Sequence, residues 1–356
     1  MLLSGVLHIF SYDKCKYYKE FHQLVTIKEK EIRNFIRMMK GKKIAVIGDL
    51  MLDRYIWGKV SRISPEAPVP IVDMENEQIR LGGAANVAQN IKSLGGLPYL
   101  YGVTGNDNSG KILRDALKEQ SFETEGVLTD DSRPTTVKTR VIAHNQHVVR
   151  IDRENKNDIS AHLQMEILER FKKIIDKVDG IILEDYNKGV LTKETIAAII
   201  KIALEHKKII TVDPKFNNFF EYKNVTVMKP NRKEIEEVLG IRLKSQEEIN
   251  AAGLTLLRNL NADNVLLTLG EQGMSLFEAR GDISHVSTKA LNVADVSGAG
   301  DTVIATLTMS LAAGASIKEA ATIANFAGGV VCGYVGIVPI NPEELIHTII
   351  NDNLQN

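Results

Sequence analysis

Residues 292–307, NVADVSGAGDTVIATL, set small residues directly ahead of an apolar run and close that small segment with a carboxylate, Asp301. Side chains as small as those of Gly298, Ala299 and Gly300 let backbone N–H groups converge at a helix start, where they and the helix dipole stabilise an anion. A carboxylate in that first turn can take a proton from an incoming hydroxyl while the amides stabilise charge on a transferring phosphoryl group. The same residues also suit a plain helix start, with Asp301 as the cap and glycine as the turn. From this stretch alone both readings stand.

Other polar residues end apolar runs in the same way: Asp49 in VIGD, Glu184 and Asp185 in ILED, Asp213 in TVDPK, Asn231 and Glu234 in MKPNRKE, and Gly270 in LTLG. One such end says little, because Asp and Asn cap helices and build turns. Repeated at successive strand ends, they imply one polar rim, the place where open α/β sheets bind ligands.

The elements that must carry this rim alternate. KKIAVIGDL reads as a buried strand over Ile44–Ile47, and DGIILEDY, IITVDPK, NVTVMKP and ADNVLLTLG read as further strands. Between them GGAANVAQNIKSLG, KETIAAIIKIALEHKK and RKEIEEVLG read as helices, followed by the helices after Asp301 and after Ser316. Repeated β then α predicts a mainly parallel sheet covered by helices. Two β-rich pieces break the series: Tyr55–Arg80, interrupted by three prolines, and Thr135–Glu154, with HNQH as a hairpin turn. Together they predict a small separate sheet. Near the start, IKEKEIRNFIRMMK places Ile27, Ile32, Phe35 and Ile36 near one face of an amphipathic helix.

Composition narrows the chemistry. With 44 Lys and Arg against 45 Asp and Glu, the net charge of −1 gives no electrostatic case for nucleic acid or an anionic membrane as partner. Cys15 and Cys332 form neither a metal pair nor a disulfide framework, which fits a reducing, cytoplasmic setting. The apolar stretches are too short to span a bilayer, and the N-terminus lacks the pattern of a secretory signal. No GxxxxGK[ST] occurs, VIGDLMLDR lacks GxGxxG, and protein-kinase signatures are absent. A phosphotransferase here needs another glycine loop.

With LGGAANVAQNIKSLGG near the front and DVSGAGDTVIATL near the end, the chain resembles the ribokinase-like (PfkB) carbohydrate kinases. The segment SRISPEAPVPIV followed by GGAANVA, together with RVIAHNQHVVRIDRE, LEDYNKGVLT and VDPK, is similar to the kinase part of the D-glycero-D-manno-heptose 7-phosphate kinases. The resemblance implies a three-layer α/β/α domain over residues 41–345, a β-sheet lid from segments 55–80 and 135–154, and a homodimer formed through the lid. Residues 1–40 are left as an extension and 346–356 as a C-terminal tail. Met38 or Met39 is a candidate start of translation. In many relatives a nucleotidyltransferase domain follows; its motif is not found here, so the resemblance implies a kinase alone.

Roles implied by the resemblance follow residue by residue. Asp301 is the catalytic base, and Gly298, Ala299 and Gly300 form the anion hole. Asp49, Asp53, Gly82, Gly83 and Asn86 lie on the sugar side, bordered by Asp152, Glu184, Asp185 and Lys188. Arg140 is a cation for the sugar phosphate, within a lid set that includes Arg62, Lys138, Arg150 and Arg153. ATP falls to Asn231, Glu234, Thr268, Gly270, Gly273 and Asn325, with Glu234 holding Mg²⁺ through water. Ser297 stands where the family usually has threonine and keeps the hydroxyl; Asp295 fixes the loop or a monovalent cation such as K⁺. The implied reaction is ATP-dependent phosphorylation of the heptose 7-phosphate at C1. Another sugar kinase acting on ribose or fructose 6-phosphate, or a non-catalytic sugar or nucleotide sensor, remains the alternative.

Overall fold

The computed structural model describes residues 22–23, 25–144, 146–288 and 293–355, so Cys15 lies outside the described residues. Its larger sheet comprises β1 (His22–Gln23), β2 (Lys43–Gly48), β5 (Leu97–Gly105), β6 (Glu123–Asp130), β9 (Gly180–Glu184), β10 (Ile209–Asp213), β11 (Val227–Met228), β12 (Asn264–Thr268), β13 (Met274–Glu278) and β14 (Ile283–Val286). The smaller sheet comprises β3 (Leu50–Ile63), β4 (Pro70–Gly83), β7 (Thr136–Ala143) and β8 (Gln146–Arg153). The helices are α1 (Glu29–Met39), α2 (Ala84–Ser93), α3 (Asn108–Glu119), α4 (Ala161–Lys172), α5 (Lys193–Glu205), α6 (Arg232–Leu239), α7 (Gln246–Leu260), α8 (Ala299–Ala312), α9 (Ile317–Val331) and α10 (Pro342–Gln355).

In the larger sheet the order is β1-β14-β13-β12-β11-β10-β9-β2-β5-β6, parallel from β12 through β6 and antiparallel at β12–β13 and β13–β14. Side chains alternate faces along a strand, and the core splits accordingly. Ile44 and Val46 pack with α1, α2, α8, α9 and α10, whereas Ala45 and Ile47 pack with α4, α5 and α7. Near-continuous apolar strands are thus buried on both sides, giving three α/β/α layers.

The smaller sheet has the order β4-β3-β7-β8 and is the separate β unit that the two irregular segments predict. Both of its long strands grow out of the main body. Only Asp49 separates the end of β2 from the start of β3, and β4 runs straight into α2.

Two terminal expectations change. Within the segment expected as an extension, α1 belongs to the main body, because its Ile32, Ile36 and Met39 are buried in the same core as Leu345, Ile346 and Ile349 of α10. A chain started at Met38 or Met39 would lack that packing. Likewise the boundary at 345 falls inside α10, whose apolar face continues past it.

Candidate active site

Asp301 is the third residue of α8 and is 2 % exposed. Gly298 precedes the helix at φ +78°, and a Cβ there would stand 2.9 Å from Nδ2 of Asn86. Glycine is therefore required on both backbone and steric grounds. Asn86, in the first turn of α2, donates through that Nδ2 to Asp301 Oδ2 at 2.7 Å. Asn90 steadies it: its Nδ2 donates to the Asn86 carbonyl at 3.0 Å, while its Oδ1 accepts from Thr302 Oγ1 at 3.1 Å. The two glycine motifs meet here through side chains. Asn86, expected among the sugar ligands, orients the carboxylate that α8 carries.

The other oxygen, Asp301 Oδ1, accepts from the Tyr186 hydroxyl at 2.7 Å. Burial pushes Asp301 up to about 6, against the two hydrogen bonds that favour its ionised form. Of the expected anion-hole amides, that of Ala299 donates to the Val296 carbonyl at 3.3 Å. That of Gly300, like the neighbouring amide of Asp301, lies in the first turn, where a helix offers its N–H groups no partner.

On the lid side, Asp53 is 2 % exposed and ion-paired with Arg140, whose guanidinium also lies over the Tyr55 ring at 5.2 Å. A Cβ on Gly82 would stand 2.0 Å from Asp53 Oδ2, so the glycine makes room for that carboxylate. Lys138 faces the same region, and burial lowers its pKa. Asp152 instead pairs with Arg150 at 2.9 Å on the exposed lid surface, and Arg153 pairs with Asp107 at 3.3 Å. Arg62 is exposed near the far end of β3.

Three expected sugar-side residues have other partners. Asp49 Oδ2 accepts the N–H groups of Tyr186 and Lys188 at 2.8 and 3.0 Å, and its Oδ1 accepts that of Val190 at 3.3 Å. Its carboxylate shapes the loop after β9. Asp185 accepts from the Tyr222 hydroxyl and the Asn187 amide, both at 2.7 Å, and burial raises it to about 6. Lys188 is ion-paired with Glu154 at 2.8 Å.

The strand-end rim holds a denser charge cluster than the sequence suggested. Glu184, Asp213 and Asp301 each offer an oxygen within 4.8 Å of the others'. Lys229, 3 % exposed, pairs with Asp213 at 2.8 Å, and Lys215 pairs with Glu234. Burial opposes the Lys229 charge, but Asp213 outweighs it and its pKa ends above the ordinary value. Both Glu184 oxygens are buried without a hydrogen-bond partner; burial, then the charges of Asp213 and Asp301, push this group well above the usual carboxylate range. Four carboxylates facing two ammonium groups leave two negative charges uncompensated when all ionise, a donor set that fits one hard divalent cation. Lys215, Lys229 and Tyr186 were not singled out from the sequence, although VDPK and VMKP carry both lysines at strand ends.

This arrangement has a stability consequence. Asp185 and Asp301 have folded pKa values raised to about 6, so the folded chain binds protons that the unfolded chain releases. Lowering the pH from 7.5 to 5.5 in EDTA should therefore raise the melting temperature, and saturating Mg²⁺ should stabilise more at the higher pH. Circular-dichroism melts test this; a melting temperature that falls on acidification over that window contradicts it.

The end expected to take the nucleotide is built on α6. Asn231 Oδ1 accepts the Glu234 N–H and Glu234 Oε2 accepts the Asn231 N–H, both at 2.9 Å, a reciprocal helix cap. With Lys215 on its other oxygen, Glu234 has protein partners on both, which is compatible with the water-mediated place at Mg²⁺ that the resemblance implies. Asn231 also bridges to Thr268. Gly270 and Gly273 take positive φ in the turn joining β12 to β13. Asn325 donates to the Ser287 carbonyl at 2.9 Å and so holds the exit of β14. A cavity of about 450 Å³ opens beside this turn, lined by Arg232, Lys244, Gln272, His285 and Thr288 among others. Asp295 accepts from the amides of Ser297 and Gly336, each at 2.9 Å, and fixes the loop before α8.

Comparison with known proteins follows these lines. The model of the pfkB family of carbohydrate kinases matches residues 41–344. A protein of Helicobacter pylori (strain HPAG1), the "Bifunctional protein HldE", is 45 % identical over 304 residues, 85 % of this chain and 65 % of that one. Its namesake in Citrifermentans bemidjiense is 41 % identical over 320 residues, covering 90 % of this chain and 66 % of its own. The chain thus spans about 65 % of the length of these curated relatives. Among solved structures, Arabidopsis thaliana ribokinase complexed with ribose and ATP aligns with TM-score 0.69 at 18 % identity, covering 86 % of this chain and 99 % of that one. Escherichia coli phosphofructokinase-2 in complex with fructose-6-phosphate gives 0.69 at 17 %, over 88 % and 99 %. At such identities the likeness is one of fold.

Proposed function

Since the chain belongs to the pfkB family of carbohydrate kinases, we propose that it transfers the γ-phosphoryl group of ATP to the C1 hydroxyl of D-glycero-D-manno-heptose 7-phosphate, giving the 1,7-bisphosphate for ADP-heptose and lipopolysaccharide core synthesis in the cytoplasm. The observation that carries the chemistry is Asp301: a buried carboxylate in the first turn of a helix, held by Asn86 beside a cluster fit for a divalent cation. The sugar assignment rests on the likeness of SRISPEAPVPIV and its neighbours to the heptose 7-phosphate kinases and on the name of the relatives.

In this reading Asp301 accepts the proton of the attacking hydroxyl, and the amides of Gly300 and Asp301 stabilise the charge that develops on the phosphoryl group. Lys229 and Lys215 add positive charge at the strand ends. ATP lies along Asn231, Thr268, Gly270 and Gly273, with the 450 Å³ cavity at that end. Mg²⁺ fits Glu184 and Asp213, and when bound it neutralises phosphate charge. Asp53, Arg140 and Lys138 line the sugar side, the cations suited to the 7-phosphate. Exposed Ile63, Met74, Val149 and Ile151 on the smaller sheet support a homodimer through the lid.

An acceptor screen tests the reading. With ATP and Mg²⁺, the heptose 7-phosphate should give a kcat/KM at least about 100-fold above those for fructose 6-phosphate and ribose, since buried polar groups left unpaired by a wrong acceptor cost that much or more. A product with phosphate at C1 by ³¹P NMR is expected. Preference for ribose or fructose 6-phosphate would move the substrate within the family; no transfer to any sugar would leave a binding protein.

A further inference from the structure

The Asp301 carboxylate has two oxygens, and both are engaged. Oδ2 faces Asn86, which is fully buried, so Oδ1 is the one left to meet an acceptor hydroxyl. The Tyr186 phenol already donates to it at 2.7 Å. That ring itself meets two cations from different parts of the fold: Lys138 Nζ from the lid strand β7 at 4.9 Å and Lys215 Nζ from the loop after β10 at 5.3 Å. Its backbone N–H is anchored on Asp49, so the side chain can swing while the loop stays in place.

We propose that Tyr186 sets acceptor choice: without sugar its hydroxyl fills the position on Asp301 Oδ1 that the sugar hydroxyl takes in turnover, and so keeps water from that position. The inference rests on Asp301 as the base. The reaction held down is hydrolysis of ATP. In it a water oxygen bonds to the γ-phosphorus, the bond from that phosphorus to the β,γ-bridging oxygen breaks, and the water proton passes to Asp301, giving ADP and phosphate. A sugar hydroxyl brought in with the rest of its ring can displace the phenol by mass action of its other contacts; a lone water brings none.

The test is Tyr186→Phe, which keeps the ring beside the two cations and removes the hydroxyl. Phosphate release from ATP without any sugar should rise about tenfold or more, the change that removing one hydrogen bond to a charged group allows. KM for the sugar should fall or hold while its kcat stays within about threefold, the split expected when a competitor for one site is removed. A merely structural tyrosine would lower kcat and the melting temperature together and leave sugar-free hydrolysis unchanged, and that result overturns the proposal. Tyr186→Phe combined with Asp301→Asn separates the two readings. Loss of the raised hydrolysis in the double variant supports gating of the base. Persistence of it overturns the base assignment and the gate with it.

Discussion

Asp301→Asn should lower kcat by about 10²- to 10⁴-fold, the range attached to a positioned general base, while KM for ATP stays within a few-fold. Asparagine matches the carboxylate in size but cannot take the hydroxyl proton. Burial raises the pKa of Asp301 to about 6, so at neutral pH the group is still mostly ionised, but holding that charge costs the fold stability relative to an ordinary carboxylate. The substitution removes that cost but faces the Asn86 amide, a donor, with a possible second donor. The two effects oppose each other, so the melting temperature should change little while turnover is lost. Coupled measurement of ADP release, with circular-dichroism melts at pH 7.5, checks both. Turnover near wild type in a folded variant would remove Asp301 from the chemistry.

Lys229→Met carries the largest expected loss of stability. Lys229 is 3 % exposed, its ammonium lies 2.8 Å from Asp213, and Glu184 and Glu234 are near enough to raise its pKa. Methionine fits the volume but leaves a buried carboxylate unpaired, which costs about 3–5 kcal/mol. Adding Asp213→Asn removes the orphaned charge, so the double variant should recover much of the loss, as neighbouring sites couple. Urea unfolding of the two single variants and the double closes the cycle. A double variant as unstable as Lys229→Met would show that the pair is not what the lysine supports.

Much of the architecture is legible in the residues themselves. Apolar runs such as KIAVIG, uniform rather than alternating, are the mark of strands covered on both faces, and the model buries Ile44 and Val46 on one side and Ala45 and Ile47 on the other. Proline breaks and the HNQH turn likewise separate the smaller sheet. What sequence did not convey is which polar groups satisfy one another across the fold. Asn86 and Asp301 are 215 residues apart, and no local rule tells that an amide expected beside sugar donates to the Asp301 carboxylate. The partners of Asp49 were hidden for the same reason, since three backbone N–H groups from a distant loop converge on it. The reciprocal cap of Asn231 and Glu234 was within reach, because Asn-x-x-Glu before an apolar helix is the spacing of a capping box. Read only for metal, that spacing hid its local use. The helix over Pro342–Gln355 was also visible, in Leu345, Ile346 and Ile349, which share one helical face.

The long strand β3 spans two environments, with Leu50–Asp53 buried and Ser61–Ile63 exposed. Its ladder with β4 runs from Leu50↔Gly83 at the root to Ile63↔Pro70 at the tip, interrupted by two register shifts on the way. Amide protons at the root can exchange with solvent only when the packed body opens, whereas those at the tip need only a local fraying. Deuterium uptake should therefore climb along this one strand. A ligand seated near the root would slow uptake outward only as far as its contacts reach, which makes the strand a ruler for how far the smaller sheet closes.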